Sequence, residues 1–162
     1  MKNITLTIGL SGSGKSTYAK EQVSKNKNIV LINRDLIRET IAGNLDGYYE
    51  RSDLSKLEDI VSHIEDELFI MYCGYDYSMI VHNCHLKQKY IKRWMELAKY
   101  YKYNVYFKIF NVDAQVCKER VMERDFAGRT TPQLVEYIDI QDKQFHSIVE
   151  WINKNYKDKI IE

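Results

Sequence analysis

Residues Ile4–Lys20 read ITLTIGLSGSGKSTYAK, and the order of residue types in this stretch decides the fold. Ile4–Ile8 is a short apolar run of strand length. It leads directly into Gly9, Gly12 and Gly14, three of the seven glycines in the chain. From Ser16 to about Lys25 the pattern turns helical. Strand, glycine turn and helix carry the spacing G-x-x-x-x-G-K-[ST], filled by Gly9, Gly14, Lys15 and Ser16. The glycines let successive backbone N–H groups point inward at an anion, and the following helix adds its positive N-terminal end. A nucleoside triphosphate is therefore expected over Gly9, Ser11, Gly12, Ser13, Gly14, Lys15, Ser16 and Thr17. Lys15 would reach its β- and γ-phosphates and the Ser16 hydroxyl would ligate Mg²⁺. ATP and Mg²⁺ are the expected ligands. The motif alone leaves open whether water or a substrate hydroxyl receives the γ-phosphate.

Outward from the turn, runs of strand length at Ile29–Ile32, Met79–Val81 and Val105–Phe110 alternate with helical patterns. Leu54, Leu57, Ile60, Val61, Ile64, Leu68 and Met71 form one apolar stripe at helical spacing; Ile91, Trp94, Met95 and Ala98 form another. Asp113 begins a helix through about Asp125. FAGRT then breaks the periodicity, and Thr131-Pro132 is a start signal for a last helix that carries Leu134, Val135, Ile138, Phe145, Ile148, Val149 and Ile152. Asn44–Ser52, NLDGYYERS, reads as a surface loop between two helices. The alternation predicts an α/β fold with a parallel β-sheet flanked by crossover helices. At 162 residues, a single domain over 1–162 is the default.

Bulk composition narrows the class. With 44% apolar residues, 29% charged residues and one proline, the chain reads as a soluble globule. It shows no apolar run of membrane-spanning length and no signal-peptide pattern, so a cytoplasmic protein without membrane partners is expected. Cys73, Cys84 and Cys117 are odd in number and lack a C-x-x-C spacing, which fits reduced thiols. A formal charge of +1 means that attraction to nucleic acid must come from local patches.

Two charged clusters follow the predicted strands. In IVLINRDLIRETI, Asn33 suits a helix cap, and Leu36, Ile37, Thr40 and Ile41 share one arc. Asp35 and Arg38, three apart, are neighbours on the opposite arc. Loops at the carboxyl ends of parallel strands line the ligand crevice, so this helix start belongs near the glycine loop. A carboxylate there can take the proton of a hydroxyl nucleophile, and a guanidinium fork can hold an acceptor's phosphate. Asp35 is the candidate general base and Arg38 the candidate acceptor clamp; the same spacing also serves a plain surface ion pair. Further on, Arg120 and Arg124 share a helix face before the FAGRT break, with Arg129 beyond. They could form a mobile cationic lid over the transferring phosphoryl group, or a solvated face neutralised by Glu119, Glu123 and Asp125.

Taken together, TIGLSGSGKSTYAK, INRDLIRETI, the Arg120/Arg124 pair and TPQLVEYI resemble the 5′-kinase domain of phage polynucleotide kinases over nearly the whole chain. The resemblance implies a P-loop kinase fold with a small helical lid. It further implies transfer of the γ-phosphate of ATP to a 5′-hydroxyl end of DNA or RNA, with a polynucleotide as partner. It matches Lys15 and Ser16 to the ATP and Mg²⁺ residues, Asp35 to the general base, Arg38 to the acceptor contact, and Arg120 with Arg124 to the lid. Where the family tends to carry an Asp-Thr-Asn-Leu-like run, this chain has Asn83-Cys84-His85-Leu86, with Asn83 and His85 as candidate substrate contacts. The segment from Arg124 to Pro132 is a little longer than the family pattern. No D-x-D phosphatase signature is present. GLSGSGKST also resembles the loop of adenylylsulfate kinases and SGSGKST that of gluconate kinases. A small-molecule kinase, a kinase of a modified base in phage DNA, and an ATP-binding regulatory protein are thus the alternatives. A homo-oligomer is left open.

Two further features have plainer readings. His82, Cys84 and His85 read as a crevice-edge loop rather than metal ligands, because adjacent residues off a strand end rarely converge on one ion. Lys87, Lys89, Lys92, Arg93, Lys99 and Lys102 interleave with Tyr90, Trp94, Tyr100 and Tyr101, a mix that suits phosphate contacts with base stacking; the plainer reading is a solvated helix face whose aromatics belong to the core.

Overall fold

The computed structural model describes residues 2–124 and 131–162, with side chains omitted at 124 and 131–134. Its elements, in chain order, are β1 (Asn3–Ile8), α1 (Lys15–Lys25), β2 (Ile29–Asn33), α2 (Arg34–Ala42), α3 (Leu45–Tyr49), α4 (Leu54–Gly74), β3 (Ser78–His82), α5 (Gln88–Tyr100), β4 (Asn104–Ile109), α6 (Ala114–Arg124), α7 (Thr131–Tyr156) and β5 (Ile160–Ile161). The strands form one sheet in the order β2-β3-β1-β4-β5. Every strand pair is parallel. This is the parallel, helix-flanked α/β fold expected from the alternation.

The central strand β1 pairs with β3 in the register Ile4↔Met79 to Leu6↔Val81, and with β4 from Asn3↔Asn104 to Ile8↔Ile109. Its Ile4, Leu6, Thr7 and Ile8 are fully buried, as a strand covered on both faces requires. The main core gathers these with Ile32, Phe69, Val81, Trp94, Phe107, Ile138, Phe145 and Ile152, joining the sheet to α4, α5 and α7. The α4 stripe is only partly covered: Leu57, Val61 and Phe69 are buried, whereas Ile60 and Met71 are exposed.

Chain order fixes where a ligand can sit. From β1 the chain passes over β3 to the edge strand β2, returns to β3, and then crosses β1 to reach β4. The crossovers leaving β1 and β3 therefore diverge, opening a crevice beyond the carboxyl ends of those two strands.

Three sequence expectations need correction. Asn44–Ser52 is not simply a surface loop: α3 forms there, the Asn44 side chain accepts from Gly47 N, and Tyr48 is fully buried. Tyr48 joins Ile37, Leu57 and Val61 in a second small core, and that burial orders the segment. The short edge strand β5, pairing Phe107↔Ile160 and Lys108↔Ile161, has no periodic signal because two residues carry no period. In the basic run, Trp94 and Ala98 belong to the core, but Tyr90 and Tyr100 are exposed. The FAGRT break and Arg129 lie outside the described residues.

Candidate active site

The glycine loop joins β1 to α1 at the crevice. Gly12 and Gly14 have φ of 80° and 97°, a left-handed backbone that favours glycine. A Cβ on Gly12 would also lie 2.6 Å from the Cys117 carbonyl oxygen of α6, so the loop is packed where only hydrogen fits. Gly14 caps α1 with no side-chain hydrogen bond, leaving the first-turn N–H groups of Lys15, Ser16 and Thr17 at the helix's positive end. The Lys15 ammonium is buried and folds back onto its own loop, donating to the carbonyls of Gly9 (3.0 Å) and Leu10 (2.6 Å).

Neighbouring elements clamp this loop. Thr7 Oγ1 donates to Asn83 O (2.8 Å), and Gly9 N donates to Cys84 O (3.2 Å), tying the ends of β1 and β3 together. Gln141 of α7 accepts from Ser11 N (2.9 Å). Arg120 of α6 donates to Gly12 O (3.3 Å), so its guanidinium already touches the loop. Arg124 closes the α6 backbone, and its side chain lies outside the described residues.

At the end of β3, His82 Nε2 shares a hydrogen bond with Ser16 Oγ (2.9 Å). Burial, followed by the nearby Lys15 charge, lowers the His82 pKa to about 4. His85 is buried, with φ 50°, and its Nδ1 lies 2.8 Å from Thr7 O; burial lowers its pKa to about 4. Its inward contact fastens the β3 loop to β1. His82 Nδ1 and His85 Nε2 have no partner among the described residues. No group of three or more His, Cys, Asp or Glu suited to a metal occurs among the described residues. The donors present nevertheless fit a Mg·triphosphate: a hydroxyl oxygen at Ser16, inward amides and the Lys15 ammonium are hard donors for Mg²⁺ and phosphate.

Facing the loop, α2 begins at β2's carboxyl end. Asn33 caps it, accepting from Asp35 N (2.9 Å) and Leu36 N (3.3 Å). The cap fixes the first turn and thereby places Asp35, which is half exposed, and Arg38, which is largely buried. Arg38 Nη1 donates to Asp35 Oδ1 (2.8 Å), so the expected i, i+3 pair forms. Of the apolar arc, Ile37 is buried but Leu36 faces solvent.

A second layer of charge comes from α4. Glu58 takes a side-on fork from Arg38, Nε to Oε1 and Nη2 to Oε2, each 2.9 Å. It also accepts from Arg34 Nη2 (2.8 Å) and Tyr48 OH (2.9 Å). Burial alone would raise the Glu58 pKa, but hydrogen bonds from Arg38, Arg34 and Tyr48 outweigh it and bring it down to about 2. Two turns further along α4, Glu65 is 1% exposed and accepts from Arg34 Nη1 (2.5 Å), Arg93 Nη1 (3.1 Å) and Asn83 Nδ2 (3.1 Å). Arg93 also donates to Asp66 (2.5 Å). Sequence spacing does not place Arg34, Glu58, Glu65 and Arg93 in the site. Their ion-pair partners lie 20 to 31 residues away, beyond the reach of local spacing. The available hint is that Glu58, Ser62 and Glu65, at i, i+4 and i+7, share one face of α4.

These groups line one cleft of about 450 Å³. Ser11, Gly12, Gly14, Lys15 and Ser16 form one side, Asp35, Arg38 and Asn83 the other, with Lys87 and Tyr90 of α5 and Tyr137 of α7 completing the wall. The structure thus brings together an anion-binding loop, a half-exposed carboxylate and a guanidinium whose charge is already partly compensated.

Known proteins share this fold. The chain is 27% identical over 164 residues to a protein of Autographa californica nuclear polyhedrosis virus named as a bifunctional polynucleotide kinase/RNA ligase, covering 96% of this chain and 22% of the viral one. It superposes on a chain of the Pnkp1/Rnl/Hen1 RNA repair complex with a TM-score of 0.79 at 20% identity, covering 92% of this chain and 45% of that one. It superposes on a gluconokinase from Sinorhizobium meliloti 1021 with a TM-score of 0.59 at 16% identity, covering 99% and 81%. The chain therefore spans less than half the length of its viral and RNA-repair relatives. A family model described as an AAA domain matches residues 4–145, from β1 through most of α7, and the chain belongs to that family of P-loop proteins.

Proposed function

We propose that this chain is an ATP-dependent polynucleotide kinase that phosphorylates the 5′-hydroxyl end of DNA or RNA. One observation carries the reading: Asp35 and Arg38 open into the same cleft as Lys15 and Ser16. A carboxylate is thus available to a hydroxyl nucleophile on the acceptor side of a triphosphate site. The names of the viral and RNA-repair relatives support a nucleic-acid acceptor.

In this reading the amides of Gly12–Thr17 and the Lys15 ammonium hold the β- and γ-phosphates, with Lys15 leaving the Gly9 and Leu10 carbonyls to reach them. The Ser16 hydroxyl, which pairs with His82 here, would hold Mg²⁺, and the ion would supply charge neutralisation of the triphosphate. Arg38 holds a phosphate of the acceptor strand, and Asp35 orients the 5′-hydroxyl and accepts its proton as that oxygen bonds to the γ-phosphorus. The bond from the γ-phosphorus to its bridging oxygen breaks, and ADP leaves. Arg120, already on the loop, and Arg124 stabilise the charge on the equatorial oxygens. Asn83 and His85 shape the acceptor side by holding the β3 loop, while exposed Tyr90 and Lys87 offer a stacking face and a cation to the strand.

The test is a panel of acceptors. With labelled ATP, label is expected on 5′-hydroxyl oligonucleotides and not on adenylylsulfate, gluconate or water. Label on a small acceptor instead would replace this reading with a small-molecule kinase, and label on none would leave a nucleotide binder.

A further inference from the structure

We propose that Glu58 is a positioning residue that aims Arg38 at the acceptor strand and limits it to a single hydrogen bond with Asp35; this rests on the acceptor role of Arg38 given above. A guanidinium has five N–H donors in a fixed fork. Glu58 takes the side edge, Nε–H and one Nη2–H, at 2.9 Å each. Asp35 takes one Nη1–H at 2.8 Å. Two donors remain, one on Nη1 and one on Nη2, available to the oxygens of a phosphate.

Several contacts hold Glu58 itself. Arg34 Nη2 and Tyr48 OH donate to its two oxygens at 2.8 and 2.9 Å. Tyr48 is fully buried, and the rings of Tyr48 and Tyr49 lie 5.8 and 5.7 Å from Arg38 Cζ, so the guanidinium is held by two rings as well as by an anion. Without the Glu58 carboxylate, the nearest anion to Arg38 is Asp35, three residues away on the same helix. The guanidinium, which already gives Asp35 one N–H, would then turn a second onto that carboxylate, so that clamp and base occupy each other more fully. Glu58 thus acts through Arg38 and makes no contact with the reacting atoms.

The experiment measures steady-state transfer to a 5′-hydroxyl oligonucleotide, together with ATP affinity, for the intact chain and for Glu58→Gln, Arg38→Ala and the double variant. Glu58→Gln keeps the size of the side chain but replaces one acceptor by a donor facing Arg38. It is expected to raise the acceptor KM by about 10- to 100-fold, with kcat changed far less and ATP affinity kept. The double variant should be no worse than Arg38→Ala alone. Tyr48→Phe removes one hydrogen bond from Glu58 and should shift the acceptor KM in the same direction by a smaller factor, again only while Arg38 is present; it decides the matter if Glu58→Gln does not fold. An unchanged acceptor KM in the variants of Glu58 and Tyr48, or effects that multiply with that of Arg38→Ala, would overturn the proposal while leaving the clamp in place. A silent Arg38→Ala would remove the clamp, and this inference with it.

Discussion

At the scale of single residues, Gly12 admits no side chain: its backbone is left-handed, and a methyl carbon there would stand 2.6 Å from the Cys117 carbonyl oxygen. Gly12→Ala should cost about 1–2 kcal/mol from the backbone alone, more once α6 is pushed away, and should weaken ATP binding. Urea unfolding and ATP titration of the variant check both, and an unchanged pair of values would mean the loop is looser than described. The glycines are legible in the sequence from their motif, and Asp35 and Arg38 because three residues on a helix bring side chains together whatever the tertiary structure. Glu58, Glu65, Arg34 and Arg93 are not, because a buried ion-pair network is specified by packing between α2, α4 and α5. Arg34 sits beside Asp35 in sequence, yet its side-chain hydrogen bonds run to α4.

At the scale of elements, the placement of Asp35 depends on where α2 starts. The Asn33 side chain satisfies two first-turn N–H groups, including that of Asp35 itself. Asn33→Ala is expected to cost about 1 kcal/mol of stability and to lower phosphoryl transfer by loosening that turn. Chemical denaturation paired with a transfer assay measures both, and a loss of stability with full transfer would show that Asp35 is held by Arg38 instead. This cap is readable because Asn ends an apolar run and a helical pattern follows. The α3 turn is not, because NLDGYYERS is mostly polar and its order comes from one buried ring, Tyr48, that packs against Ile37, Leu57 and Val61. The four longer strands are readable from their apolar runs; β5 is too short to show one.

For the molecule as a whole, the β3 loop puts two buried imidazoles beside the P-loop, and they tie stability to pH. Burial brings both His82 and His85 from 6.5 down to about 4. Between those values the unfolded chain binds protons that the folded chain does not, so stability is full above pH 6.5 and falls as pH drops toward 4. Each histidine should remove on the order of 2 kcal/mol by about pH 5. Glu58, held at about 2 against an ordinary 4.5, adds a further loss only below pH 4.5. Urea unfolding at about pH 7 and about pH 5 tests this, since a stability that stays flat over that interval would show the two rings to be protonated or solvated in the folded protein. No helix among the described residues is long and apolar enough to cross a membrane. The claim on which the mechanism turns is that Asp35 serves the phosphoryl transfer across the cleft from Lys15. Single-turnover transfer from ATP to a 5′-hydroxyl oligonucleotide, compared between the intact chain and Asp35→Asn, tests it most directly. The expected result is label on the 5′ end, slowed by about 10²–10⁴-fold in the variant with ATP affinity kept. An equal rate in both proteins would contradict it.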